Sequence, residues 1–158
     1  MMILRLSPVG SLRVAIAGSN ADLLLALRDS LEADPSVLVC AEASDGPTAL
    51  RIVLEENPDV CLVTDEPGFD SVGVVEALVE RAPDVSVVLS GEEPDDDTLM
   101  RAVAIGASGY VPSGIAGPEL AAALFDAVSG QPAFPPRLAR LLIARLREGS
   151  GATFDGQA

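Results

Sequence analysis

Short apolar runs alternate with amphipathic segments of helical periodicity along most of this chain. The apolar runs lie at residues 12–17, 37–41, 60–63, 85–89 and 110–112. The amphipathic segments lie at residues 21–33, 47–56, 71–81, 98–105 and 118–128. Such alternation predicts a parallel sheet with crossover helices. The 60–63 run, Val-Cys-Leu-Val, is apolar at every position, which is typical of a central strand covered on both faces. We therefore expect an α/β fold.

The chain length allows one domain and an appendage. It has 158 residues, and Gly130 and Pro132 mark the end of the alternating pattern. We predict a domain at 12–130, a linker segment with an extra helix at 131–148, and a disordered tail at 149–158. The extra helix, Pro136 to Glu148, carries four leucines along one side, at positions 138, 141, 142 and 146. The sequence assigns them no internal partner, and so short a helix needs a surface to pack on.

The charged residues exclude several kinds of function. The formal net charge is −14, so direct binding of nucleic acid by this chain is not expected. There is no histidine, which excludes Ser-His-Asp and Cys-His catalysis. All ten basic residues are arginine, so there is no lysine. We expect a protein that is not an enzyme and has no cofactor.

Two cysteines bear on strand order and cellular location. Cys40 and Cys61 lie inside apolar runs, away from metal-ligand spacing, so we expect buried free thiols. Five strands that alternate with five helices fit a doubly wound sheet in which the strands, numbered along the chain, have the spatial order 2-1-3-4-5. In that order the two cysteines lie on the strands that flank the first strand, too far apart for a disulfide. No apolar run approaches twenty residues. These features predict a cytoplasmic protein without a membrane segment.

Four local sequences carry a resemblance to a known family. They are Leu12–Ala17, Glu42–Gly46, Pro58–Leu62 and Gly106–Val111. In this order and spacing they resemble the receiver domain of two-component response regulators, especially NarL/FixJ-type transcription factors, over about 12–130. The resemblance implies a flavodoxin-like (CheY-like), doubly wound sheet of order 2-1-3-4-5 and a role in signal transduction and transcription regulation. The helix after Pro136 is similar to the segment that precedes a LuxR-type helix-turn-helix, and we expect such a DNA-binding domain to be missing here.

The chemistry that the resemblance implies is not supported by the residues present. In this family an aspartate at the end of the third strand accepts a phosphoryl group, with help from a metal held by acidic residues after the first strand. A lysine on the fifth strand binds the phosphate, because transferred phosphoryl charge needs nearby cations. The corresponding positions hold Gly18, Ser19, Thr64 and Ser113, and the switch hydroxyl falls on Ser90. We predict a pseudo-receiver with no metal site.

Several alternatives remain open from the sequence. A shift of one residue would make Asp65 a conventional phosphoacceptor. The vacated pocket could instead hold a neutral or anionic small molecule. Without a phosphoryl switch, we expect constitutive or ligand-controlled homodimers that use the last helix or the 118–128 helix. The alternative is a monomer whose last helix folds back over the domain.

Overall fold

A computed structural model describes the backbone of residues 11–157 and the side chains of residues 11–149. Five strands alternate with five helices in that range, and a sixth helix follows. The strands are β1 Leu12–Ala17, β2 Val37–Ala43, β3 Val60–Asp65, β4 Ser86–Gly91 and β5 Gly109–Pro112. The helices are α1 Ala21–Glu32, α2 Gly46–Glu56, α3 Ser71–Arg81, α4 Asp96–Ala104, α5 Gly117–Val128 and α6 Arg137–Gln157.

The strands form one parallel sheet in the order β2-β1-β3-β4-β5, which confirms the predicted fold and strand order. β1 pairs with β2 on one side and with β3 on the other. Cys61 on β3 is the register partner of Ala15 on β1. Cys40 lies on β2, on the other side of β1, at an irregularity in the β1–β2 register. Both cysteines are free, as expected from strands separated by β1. Cys61 is buried as predicted, whereas Cys40 is only partly buried because β2 is an edge strand.

The helices cover both faces of the sheet. α1 and α5 pack on one face around Leu31 and Leu124, which are fully buried. α2, α3 and α4 pack on the other face around Leu78 and Leu99, which are also fully buried. β3 lies between these two layers, and residues 60–64 of it are buried. This burial explains why the strand is apolar without alternation.

Acidic or amide side chains begin four of the helices. Asn20 accepts a hydrogen bond from the Leu23 amide and is the N-cap of α1. Asp45, Asp70 and Asp95 likewise accept hydrogen bonds from backbone amides, those of Thr48, Gly73 and Thr98 respectively. The hydrogen bonds from Thr48 and Thr98 hold the pKa values of Asp45 and Asp95 below their ordinary range. These carboxylates are therefore helix caps.

The last helix differs most from the sequence prediction. The predicted helix ends at Glu148 before a disordered tail, whereas α6 continues to Gln157. Its leucines also have an internal partner, because Leu138 is buried and Leu141 and Leu142 pack against the cluster that contains α4. The sequence left open whether this leucine stripe packs back on the domain or meets a partner. These three leucines pack back on the domain, while Leu146 is 70% exposed. Among residues 11–157, no helix is both long and apolar enough to cross a membrane.

Candidate functional site

The carboxyl ends of the central strands bring the predicted site positions together. Thr64 on β3 is the register partner of Ser90 on β4, and Asp65 is the partner of Gly91. Gly91 in turn pairs with Pro112 on β5, directly before Ser113. Thr64 and Ser90 are almost completely buried, whereas Ser113 is exposed and its amide donates to the Gly91 carbonyl at 2.6 Å. This edge of the sheet is the place where doubly wound folds bind ligands.

Gly18, the first residue after β1, packs tightly against Thr64. A Cβ atom at position 18 would overlap Thr64 Oγ1 and would lie 3.2 Å from Glu66 Oε2. Thr64 is 1% exposed, so a group placed against its side chain would have to displace buried atoms. A side chain at position 18, which the resemblance assigns to the acidic pair, would therefore strain this packing.

Glu66 is the central polar group on this side of β3. Its Oε1 accepts from Ser19 Oγ at 2.5 Å, and its Oε2 accepts from Thr64 Oγ1 at 2.5 Å. The carboxylate thus joins the β1–α1 loop to the end of β3 and lies over the Thr64 hydroxyl. Glu66 was not among the site residues predicted from the sequence. The available signal was strand alternation, which puts residues 64 and 66 on one side of the chain.

Asp65 makes a separate set of contacts. Its Oδ1 accepts from Ser71 Oγ and its Oδ2 accepts from the Tyr110 hydroxyl, both at 2.9 Å. Tyr110 is 2% exposed, and its hydroxyl also lies 3.3 Å from the Glu92 carbonyl. Burial, followed by the hydrogen bond to Asp65, raises the pKa of Tyr110. Asp65 therefore ties β3 to the start of α3 and to β5.

The Tyr110 hydroxyl occupies the space that a side chain at position 91 would fill. A Cβ atom at position 91 would overlap that hydroxyl and would lie 3.0 Å from Asp65 Cβ. Gly91 thus leaves the space in which the Asp65–Tyr110 hydrogen bond forms. Neither Gly91 nor Tyr110 was among the site residues predicted from the sequence.

A cavity of about 610 Å³ opens beside these residues. Asp65, Ser90 and Ser113 line it, whereas Gly18, Ser19 and Thr64 do not. Its wall also includes the carboxylate-bearing residues Glu66, Glu92, Glu93 and Asp95, and no arginine. Such a wall repels anions, so of the neutral or anionic ligand that the sequence left open, the anionic one has no electrostatic support here.

The side chains at this edge do not fit the divalent metal that the resembled family uses. Gly18 and Ser19 supply no carboxylate, and the carboxylates of Asp65, at the end of β3, and of Glu66, which follows it, already accept two hydroxyl groups each. Magnesium prefers several hard oxygen ligands with near-octahedral geometry. Among residues 11–149, no group of three or more His, Cys, Asp or Glu side chains could hold a metal ion.

Comparisons with known proteins show that this chain is similar to transcriptional regulators and to receiver domains of response regulators. No family model matches the chain. It is 34% identical over 122 residues to the DNA-binding transcriptional activator DevR/DosR of Mycobacterium tuberculosis, covering 77% of this chain and 56% of that regulator. The chain thus spans little more than half of that regulator.

Among solved structures, the chain is also similar to response regulators. The signal receiver domain of the putative response regulator NarL from Mycobacterium tuberculosis matches with a TM-score of 0.71 and 25% identity, over 77% of this chain and 98% of that one. A chain from the structure of two RcsB dimers bound to two parallel DNAs matches with a TM-score of 0.69 and 25% identity, over 84% of this chain and 68% of that one.

Proposed function

We propose that this chain carries a receiver domain of the NarL/LuxR response-regulator type and that it is a regulatory module that works without aspartyl phosphorylation. One observation carries the proposal: the hydroxyl of Thr64, the residue that the resemblance assigns to the acceptor position, donates a hydrogen bond to the Glu66 carboxylate. We further propose that the module is not an enzyme, acts in the cytoplasm and serves transcription regulation. The resemblance to DNA-binding regulators supports the last two points.

Electrostatics supports independence from phosphorylation. A phosphoryl donor would meet a cavity wall with five carboxylate residues, at positions 65, 66, 92, 93 and 95, and no arginine. Arg137 lies outside the wall and pairs with Glu93. The carboxylates of the wall would repel the donor, and no lysine exists in the chain to offset them.

Asp65 is poorly placed to act as the acceptor instead. Both of its oxygens accept hydrogen bonds from side chains of nearly buried residues, Ser71 and Tyr110. A nucleophilic oxygen would have to give up one of these partners. It would then react without the metal and lysine that stabilise the transferred charge.

Beryllofluoride offers a direct test, since it mimics the phosphoryl group of a phosphorylated receiver. We expect the amide NMR spectrum of the full chain to stay unchanged when beryllofluoride and magnesium are added. A receiver that retains the acidic pair, aspartate and lysine serves as the positive control. Saturable shifts centred on Thr64 and Asp65 would refute the proposal.

Ligand sensing is the second candidate function. The cavity of about 610 Å³ is large enough for a small molecule and is the observation in its favour. Its carboxylates favour a neutral or cationic ligand over the anionic one that the sequence left open.

We also propose that the module forms homodimers through α6 or α5. RcsB dimers provide one support, because a chain of that structure shares this fold. The outer side of α6 provides another, because Ile143 is 49% exposed and Leu146 is 70% exposed. Exposed apolar side chains on one helix face are common at protein interfaces.

Light scattering across a range of concentrations should give a dimer mass for the full chain, and Leu146→Glu should shift the equilibrium toward monomer. Leu54→Glu is the matched control, because Leu54 is 47% exposed on the distant helix α2. A monomer mass for the wild type at every concentration would eliminate the dimer. Equal effects of the two variants would exclude α6 as the interface.

A further inference from the structure

A nearly buried hydroxyl in the wall of the cavity of about 610 Å³ has no hydrogen-bond partner within the protein. Ser90, at the carboxyl end of β4, is 3% exposed and lines this cavity. Its hydroxyl forms no hydrogen bond with any of residues 11–149, whereas the Tyr110 hydroxyl in the same wall donates to Asp65. A buried polar group without a partner is unfavourable and rare. The Ser90 hydroxyl is therefore free to bind a molecule inside the cavity.

The carboxylates of the wall decide which charge such a molecule should carry. Asp65 and Glu66 accept hydrogen bonds from neutral hydroxyl groups, which leave the negative charges in place. Arg137 pairs with Glu93 from outside the wall. Within residues 11–149, neither Asp65, Glu66 nor Glu92 forms an ion pair with an arginine. The wall therefore attracts a cation.

Three polar residues of the wall come together at adjoining strand ends. Asp65 is the register partner of Gly91, so it lies level with the residue between Ser90 and Glu92. The Tyr110 hydroxyl lies 2.9 Å from Asp65 Oδ2 and 3.3 Å from the Glu92 carbonyl oxygen. An ammonium group has three N–H donors, and hydroxyl and carboxylate oxygens both accept from it. Ser90, Asp65 and Glu92 thus offer acceptors to one such group.

The rest of the wall suits an organic cation better than a metal ion. No group of three or more His, Cys, Asp or Glu side chains within residues 11–149 could hold a metal. Leu23, Pro67 and Pro94 give the wall an apolar part, which favours methylene groups over a hydrated ion. The volume of about 610 Å³ lies in the range of small-molecule sites.

We propose that this cavity binds an aliphatic diamine or polyamine. One ammonium group donates to the Ser90 hydroxyl and to the carboxylates of Asp65 and Glu92, and the methylene chain lies along the apolar part of the wall. This inference rests on the ligand-sensing candidate above and names its ligand class. It gives the domain an input that does not use phosphoryl chemistry.

Amide NMR titration of the full chain with putrescine and with spermidine tests the proposal. A salt concentration of about 0.15 M screens diffuse attraction to the net charge of −14. We expect saturable shifts centred on Ser90, Gly91 and Glu92. Butanediol, which carries neutral hydroxyls in place of the ammonium groups of putrescine, should cause no saturable shift at the same concentrations.

Two variants test the assigned contacts. Ser90→Ala and Glu92→Gln should each weaken putrescine binding about threefold or more. Glu76→Gln is the matched control, because it removes the same charge from an exposed position on α3, outside the cavity. Ser90→Ala should not lower the Tm of the free protein, since its hydroxyl has no partner to lose.

The outcomes that would overturn the proposal are distinct. They are the absence of saturable shifts with either amine, equal shifts with butanediol, and the same shifts with magnesium alone. Equal weakening in Glu92→Gln and Glu76→Gln would also overturn it, because the attraction would then be diffuse. Phosphodonor treatment is scored separately. A protein that gains no phosphoryl group and binds no amine would contradict this inference and leave phosphorylation-independent function standing.

Discussion

Gly18→Ala is expected to lower the free energy of unfolding by about 3 kcal/mol. The added methyl group would overlap Thr64 Oγ1 and crowd the Glu66 carboxylate, and Thr64 is too buried to move aside. Denaturant unfolding of both proteins measures the difference. Gly149→Ala is the control, because nothing lies within 4 Å of a Cβ there, and it should be neutral or stabilising in a helix.

The cause of this loss can be isolated by a double-mutant cycle. Thr64→Ala removes the hydroxyl that the new methyl group would meet, so Gly18→Ala should cost clearly less in that background than in the wild type. Full additivity would show that the Gly18–Thr64 contact is not responsible. By the same reasoning, restoring an acidic residue at position 18 alone should destabilise the domain without creating a metal site.

Asp65→Ala is expected to cost about 1–3 kcal/mol of unfolding free energy. It leaves the hydroxyls of Ser71 and Tyr110 without their carboxylate acceptor, and both residues are nearly buried. In Tyr110→Phe one of these hydroxyls is already gone, so Asp65→Ala should cost less there. An unchanged unfolding free energy in Asp65→Ala would contradict the assigned hydrogen bonds.

The same network predicts the alkaline behaviour of the protein. Because the pKa of Tyr110 is higher in the folded protein than in the unfolded chain, the neutral phenol stabilises the fold fully below about pH 10, and this stabilisation is lost as the pH rises further. Tyr110→Phe should remove this pH dependence. Asp65→Ala should lower the pKa of Tyr110, although burial still keeps it above the ordinary value. Tyrosinate absorbance reports this group alone, because the chain has one tyrosine and no tryptophan.

The sheet could be predicted because its sequence signals are local. Apolar runs such as Val60–Val63 show the strands directly, and the caps at Asn20 and Asp45 lie within three residues of the amides they bind. The strand ends were less predictable. β3 extends to Asp65, because backbone pairing with β4 continues through polar residues that no apolar pattern marks.

The contacts at this edge of the sheet could not be predicted from the sequence. The structure has Gly18 directly after β1 and Thr64 next to the last residue of β3. The roles of Glu66 and Tyr110 depend on partners 45 to 47 residues away in the chain, and no local pattern specifies such pairs. A buried tyrosine does require a hydrogen-bond partner, which would have been a usable signal for Tyr110.

The path of α6 also depends on long-range contacts. Its attachment joins Arg137 to Glu93, 44 residues earlier. The leucine stripe indicates that the helix has an apolar side, but the direction taken by the chain through residues 131–136 decides what that side meets. The sequence could therefore predict the helix without its packing partner.

The intact mass of the full chain after incubation with a small phosphodonor and magnesium tests the central claim most directly. A receiver with its aspartate and lysine, treated in parallel, shows that the donor is active. We predict that the mass of this protein stays unchanged, because Thr64 lies under Glu66 and the cavity wall holds no cation. A stoichiometric gain of one phosphoryl group, located at Asp65 or Thr64 by peptide mapping, would contradict phosphorylation-independent function.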